Sequence, residues 1–217
     1  MHRQTAAICY GPRVNEADEV ADHYHRHAGA WAAARRAADA ATPLIEAAWL
    51  GRFLALLPTR PSVLDIGCGC GEPIGRALLA RGCDLTGVDT SPAMIAMCQA
   101  LFPRIFWHVA DMRSLNLGAS FNGLLAWDSF CHLRPDEERR MFAVFRSHAL
   151  PRAALMFTSG QKGGATPEQL GGETPDHASL DPAEYRALLD DNGFELVAHT
   201  ADDPACGGHT VWLARLR

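Results

Sequence analysis

The residue types best placed to do chemistry in this chain are three aspartates and one run of alternate glycines. Residues 63–73 read Val-Leu-Asp-Ile-Gly-Cys-Gly-Cys-Gly-Glu-Pro, with Gly67, Gly69 and Gly71 directly after an apolar stretch that carries Asp65. Such a run suits a buried strand turning sharply into a helix, with backbone bare enough for a ligand to approach closely. Asp89 follows a second apolar stretch, where a carboxylate can accept both hydroxyls of a ribose. Asp111 follows a third, in Val109-Ala110-Asp111-Met112. There its side chain either accepts the amino group of an adenine or caps a turn, while the Met112 backbone N–H serves a ring nitrogen. Met94 is placed to cover one face of the base. Together these residues describe a site for a nucleoside-bearing cofactor.

The turn also discriminates between such cofactors. A dinucleotide site usually reads Gly-x-Gly-x-x-Gly, with the pyrophosphate resting on the helix start. Here the third glycine comes one position early and Glu72 stands at the helix start, where a carboxylate repels a pyrophosphate. Asp65, near the strand tip, suits a ligand that presents an ammonium group. S-adenosyl-L-methionine has no phosphate and carries an α-amino group, a sulfonium and an adenosine. Charge logic therefore favours it over a nicotinamide dinucleotide.

The elements that must hold these residues are legible in the pattern around them. Residues 14–57 are Ala-rich and helical in period, dividing into Val14 to His27, Trp31 to Ala40, and Pro43 to Leu57 with Thr42 as cap. From residue 61 onward strands and helices alternate: strand Val63–Ile66, helix Glu72–Arg81, strand Asp84–Val88, helix from Ser91-Pro92 to Leu101, strands Ile105–Val109 and Gly123–Trp127, helix Pro135–His148, and strand Ala153–Thr158. Residues 159–180 read as a Gly-rich loop, longer than a plain connection. Asp181-Pro182-Ala183-Glu184 starts a last helix. Strands Phe194–His199 and Thr210–Ala214 close the chain as a hairpin turned by Asp202-Asp203-Pro204 and Gly207-Gly208. This alternation predicts a doubly wound α/β domain whose closing hairpin adds one antiparallel strand.

These motifs identify a resemblance. The chain resembles the class I S-adenosylmethionine-dependent methyltransferases from about residue 10 to its end. The glycine turn, Asp89, Asp111-Met112 and the segment Ala126-Trp127-Asp128-Ser129-Phe130 all fall in family order. It is most similar to small bacterial members acting on small molecules. The resemblance implies a Rossmann-like seven-stranded sheet in the order 3-2-1-4-5-7-6 with the seventh strand antiparallel. It also implies a single domain, with an N-terminal helical cap over about residues 10–57 and a core over 58–217. Tyr24, Asp65, Gly67, Cys68, Gly69, Asp89, Thr90, Met94, Asp111, Met112 and Trp127 are the expected cofactor residues, and S-adenosyl-L-homocysteine the expected product. Cys68 and Cys70 stand where the family tolerates several small residues, whereas Pro73 is less usual and suggests a tight helix start.

Methyl transfer from a sulfonium gains most from alignment of donor and acceptor in a dry site, and needs a base only where the acceptor arrives protonated. Candidates must lie at the carboxyl ends of the strands. Asp128 either contacts the methionine end or acceptor, or caps its turn. His132 is the best general-base candidate, set against an ordinary structural histidine. Tyr24 either covers the cofactor's methionine end or packs in the core. Trp31 and Arg35 share a helical face and are candidates to roof the acceptor. His177 lies in the 160–180 stretch, a lid candidate. Arg113 reads as a structural ion-pair partner.

Composition narrows the partners. Net charge is −5 with a pI of 6.0, and Lys162 is the one lysine among 20 basic residues, so no basic face for nucleic acid is expected. Seven cysteines at irregular spacing suit a reducing compartment. Neither a membrane-length apolar run nor a signal peptide is visible, which predicts a cytoplasmic protein. Monomer and homodimer stay open, as do two other classes: a non-catalytic S-adenosylmethionine-binding regulator and a nicotinamide-dependent oxidoreductase. The acceptor itself is expected to be a small molecule.

Overall fold

The computed structural model describes residues 26–30, 33, 44–160 and 179–217. Seven strands are present: β1 (Ser62–Ile66), β2 (Asp84–Asp89), β3 (Phe106–Val109), β4 (Phe121–Ala126), β5 (Ala149–Ser159), β6 (Phe194–Asp203) and β7 (His209–Leu216). They form one sheet in the order β3-β2-β1-β4-β5-β7-β6. Pairs from β3 through β5 are parallel, whereas β7 runs antiparallel to both β5 and β6. A reversed strand begins where its parallel neighbours end. Thr210 at the start of β7 accordingly lies opposite Ser159 at the end of β5.

Among the described residues from 44 onward, helices α1 (Ala47–Ala55), α2 (Ile74–Ala80), α3 (Pro92–Leu101), α4 (Pro135–Ser147) and α5 (Pro182–Asp191) cover the sheet. The strands are apolar on both faces, as a sheet covered on both sides requires. Leu64, Ile66, Leu124, Leu155, Phe157 and Trp212 pack with Phe142 and Phe145 of α4 and Tyr185 of α5. Their chain neighbours Val63, Leu125, Met156 and Val211 pack with Phe53 of α1, Leu78 of α2 and Ile95 of α3. The period-two alternation thus assigns each strand residue to one of two cores. A buried hydrogen bond from the Tyr185 hydroxyl to Glu138 Oε2 (2.6 Å) ties α5 to α4.

From residue 44 onward the expected strands and helices are present, with shifted ends, whereas the helices expected over Val14 to His27 and Trp31 to Ala40 and the loop expected over 159–180 lie largely outside the described residues. β5 starts at Ala149, because Phe121 pairs with Ala149 before a register shift, and β6 runs on to Asp203, which pairs with His209. The helix expected from Pro43 begins at Ala47 with Glu46 at its N-cap, while residues 42 and 43 lie outside the described residues. The helix expected from Glu72 begins at Ile74, one residue after Pro73. Of the region before residue 44, residues 26–30 are helical, and Ala28 is buried against Cys70 and Met94.

Candidate active site

The turn after β1 is built from left-handed glycines, with φ of 79° at Gly67, 54° at Gly69 and 77° at Gly71. Side chains are strained there, and at Gly67 they are also excluded: a Cβ would stand 2.3 Å from Ser129 Cβ. The bare backbone puts its N–H groups to use. Gly67 and Cys68 donate to the Val88 carbonyl at 2.8 and 3.0 Å, which locks the turn to β2. The Gly69 N–H donates to Asp89 Oδ2 and the Ser91 N–H to Asp89 Oδ1, both at 2.9 Å. Asp89 is thereby aimed across the turn. Ser91 in turn caps α3 through Met94 N–H.

Asp65 is the penultimate residue of β1 and is 4% exposed. Burial, with the charge of Asp89 added, raises its pKa to about 7. No donor or cation meets its carboxylate among the described residues. Burial also raises Asp89, against the opposing pull of the Ser91 and Gly69 N–H groups. Two adjacent carboxylates near the ends of β1 and β2, with no counter-cation among the described residues, form a site of excess negative charge that calls for a cationic ligand group.

Beyond β3, Asp111 caps the short turn Met112–Ser114 by accepting from the Arg113 N–H (2.8 Å). Its carboxylate also receives the Arg113 guanidinium at 2.7–3.0 Å, and Arg113 reaches on to Glu137 at 3.2 Å. Burial opposes ionisation of Asp111, but Arg113 outweighs it and holds the group below the usual carboxylate range. Of the two sequence readings for Asp111 the cap is therefore present, and Arg113 is an ion-pair partner.

After β4 the chain turns through Trp127, Asp128, Ser129 and the short helical turn Phe130–His132. Ser129 Oγ donates to the Ile66 carbonyl (2.7 Å), which fastens this turn to the glycine turn. Asp128 has a left-handed backbone (φ 44°) held by its N–H donating to Thr158 Oγ1 at 2.8 Å. Thr158 donates back to Asp128 Oδ1 (3.2 Å), and His209 Nε2 lies 2.9 Å from Asp128 Oδ2. The Trp127 ring packs 5.4 Å from the His209 ring, and its indole N–H is buried with no partner among the described residues.

One cavity joins these parts. It is lined by Asp65, Gly67, Cys68, Gly69, Asp89, Thr90 and Met94, by Asp111, Met112 and Arg113 after β3, and by Trp127, Asp128, Ser129, His132 and Leu133 after β4. Tyr24, Trp31, Arg35 and His177 lie outside the described residues. His209 was not anticipated. The signal for His209 was available: it follows the Gly207-Gly208 turn and opens the reversed strand, so it must reach the edge where the parallel strands end.

A family model described as a methyltransferase domain matches residues 63–152. Among solved structures, a TehB-like SAM-dependent methyltransferase from Corynebacterium glutamicum is 20% identical with a TM-score of 0.68, over 88% of this chain and 98% of that one. The Burkholderia thailandensis 1,6-didemethyltoxoflavin-N1-methyltransferase, with 1,6-didemethyltoxoflavin and S-adenosylhomocysteine bound, is 20% identical (TM-score 0.64; 92% and 86% covered). The magnesium protoporphyrin IX methyltransferase of Synechocystis PCC 6803 with bound SAM is 17% identical (TM-score 0.64; 96% and 100% covered). At these identities the likeness to the solved structures is one of fold.

Proposed function

We propose a small-molecule acceptor for this chain, which belongs to the class I S-adenosylmethionine-dependent methyltransferases and takes its methyl group from S-adenosylmethionine. The residues present fit that donor. The observation that carries the fit is the buried Asp65–Asp89 pair, without a cation among the described residues, beside a turn that leaves no space for a Cβ at Gly67. Asp65 takes the ammonium group, and the backbone of Gly67, Cys68 and Gly69 follows the methionine end. Asp89 takes the ribose hydroxyls, with Thr90 beside it. Met94 covers the adenine, the Met112 N–H and the Asp111 turn border its edge, and Trp127 closes the methionine end. The donor supplies an electrophilic methyl group on a positively charged sulfur.

For the acceptor, the supporting observation is that the cavity continues past the donor cradle to Asp128 and His132. This is a recess rather than an open face, and the chain's net charge of −5 disfavours a polyanion. One structural neighbour is crystallised with a small heterocycle, 1,6-didemethyltoxoflavin. Among the described residues no helix is long and apolar enough to cross a membrane. The test is release of S-adenosylhomocysteine from pools of small amines, phenols, thiols and carboxylic acids, alongside thermal shifts with S-adenosylmethionine and with NAD. The expected result is a shift with the former alone, and release with one pool. A shift with NAD alone would overturn the donor assignment, and binding without release from any pool would favour a non-catalytic binding protein.

A further inference from the structure

The start of the reversed strand brings His209 against Asp128, and its hydrogen bonds define its charge. Nδ1 lies 2.6 Å from the Cys206 carbonyl, which only accepts, so Nδ1 carries a proton. Nε2 faces Asp128 Oδ2 at 2.9 Å. The Asp128 N–H donates to Thr158 Oγ1, which leaves the Thr158 hydroxyl to donate to Asp128 Oδ1. Asp128 is thus arranged to accept on both oxygens, and both His209 nitrogens face acceptors. The arrangement is satisfied by an imidazolium paired with a carboxylate.

The surroundings agree. Burial alone would lower the His209 pKa, but the hydrogen bond and charge of Asp128, the Cys206 carbonyl and the charge of Glu46 together raise it above its ordinary value. Glu46 comes from the residue before α1, Asp128 from the end of β4, and the Trp127 ring packs against the imidazole. The pair is shielded, with His209 and Asp128 side chains 17% and 35% exposed. Asp128 lines the cavity. His209 stands behind it.

Resting on the methyltransferase reading above, we propose that His209 is a positioning residue that holds Asp128 toward the acceptor, and that the acceptor's nucleophile is an uncharged N–H or O–H group donating its hydrogen to Asp128. Held from behind by His209, Asp128 offers a fixed hydrogen-bond acceptor, and a nucleophile that keeps its lone pair can meet it only through an uncharged N–H or O–H. A third of the Asp128 side chain stays accessible, and it lines the cavity. In the transfer, the nitrogen or oxygen lone pair forms the bond to the methyl carbon and the C–S bond breaks with its electron pair kept by sulfur. The proton leaving the nucleophile passes to the Asp128 carboxylate and then to solvent. His209 keeps its proton throughout.

The test begins with histidine NMR of the full chain saturated with S-adenosylhomocysteine. His209 is expected to titrate above the ordinary value of about 6.5 with both ring nitrogens protonated at neutral pH, and Asp128→Asn is expected to lower that midpoint. Calorimetry of His209→Gln is expected to give S-adenosylhomocysteine affinity within about twofold of wild type, since Gln retains a donor near the Nε2 position. With the acceptor found by the pool screen, His209→Ala should cut kcat at least tenfold at unchanged KM for S-adenosylmethionine. His209→Gln should recover much of the rate and lose the alkaline limb of the pH profile. An ordinary His209 midpoint indifferent to Asp128→Asn would overturn the pairing. So would a tenfold loss of S-adenosylhomocysteine affinity in His209→Gln, because the residue would then serve the donor. A tertiary amine or thioether as the reacting acceptor would overturn the substrate class. Failure of the methyltransferase reading itself appears separately, as wild-type protein giving no heat with S-adenosylmethionine.

Discussion

The two ends of the cavity are built on different principles. The donor end takes Asp65, Gly67, Gly69 and Asp89 from two consecutive strand–turn units, and Gly69 and Asp89 bond across only 20 positions. The acceptor end takes Asp128 from β4, Thr158 from β5, 30 positions away, and His209 from the start of β7, 81 positions away. Local turns fix the first. Sheet topology alone assembles the second. The lesson is that a cofactor cradle built from neighbouring turns is encoded where it stands, while a substrate wall is encoded in the order and direction of distant strands.

That contrast is broken most directly at Asp89. Its carboxylate organises the turn through Gly69 and Ser91 and is assigned the ribose hydroxyls. Hydrogen bonds to a charged group contribute about 1.5–3 kcal/mol each, so losing two at Asp89→Ala should weaken S-adenosylmethionine binding by about 100-fold or more. Asp128→Asn should change that affinity by only a few-fold, because it leaves the donor end intact. Calorimetry on both variants decides: equal losses would mean that the two ends are not separable.

The ends do meet, at Gly67 and Ser129. In Gly67→Ala the new Cβ meets Ser129 Cβ at 2.3 Å while the backbone stays at φ 79°. Overpacking and a left-handed alanine together should cost about 2–4 kcal/mol of folding stability, measured by denaturant unfolding. Ser129→Gly removes the clashing atom, so in the Gly67→Ala background it should return part of that loss. Additive costs in the double variant would show that the clash is not the cause.

Legibility in the sequence divides along the same line. The donor end was readable because each of its demands is local: a glycine where the turn is left-handed, a carboxylate where a strand ends. Strand and helix order was readable from periodicity, since buried strands and amphipathic helices differ within a few residues. Ends of elements were less so, because β5 is lengthened by a partner on another element, Phe121 for Ala149, and β6 by the tight closure of its hairpin, His209 for Asp203. At Asp111 the sequence left adenine contact and turn cap both open, since Arg113 reaches it only once the turn has formed. His209 escaped notice for a related reason. A histidine after two glycines is unremarkable until the reversal of β7 places it beside the end of β5.

The finest distinction between the ends is electrostatic. Asp128 has a counter-cation in His209, whereas Asp65 is buried beside Asp89 and titrates at about 7. Without ligand, the raised Asp65 pKa favours the folded state below the unfolded value of 3.8, and that contribution is lost as pH rises through about 7. In the proposed site the ammonium group of S-adenosylmethionine would reverse the preference, because it needs the ionised carboxylate. Binding below pH 7 must therefore expel a proton, and affinity should rise about tenfold between pH 5.5 and 7 as Asp65 ionises. The rise should stop near pH 8, where an α-amino group with a pKa of about 7.7–8.0 begins to lose its own charge. Calorimetry in buffers of different ionisation enthalpy counts the proton directly. Asp65→Asn should bind more weakly and without this slope, whereas His209→Gln should keep it; a slope that survives Asp65→Asn would move the titrating group elsewhere in the cavity.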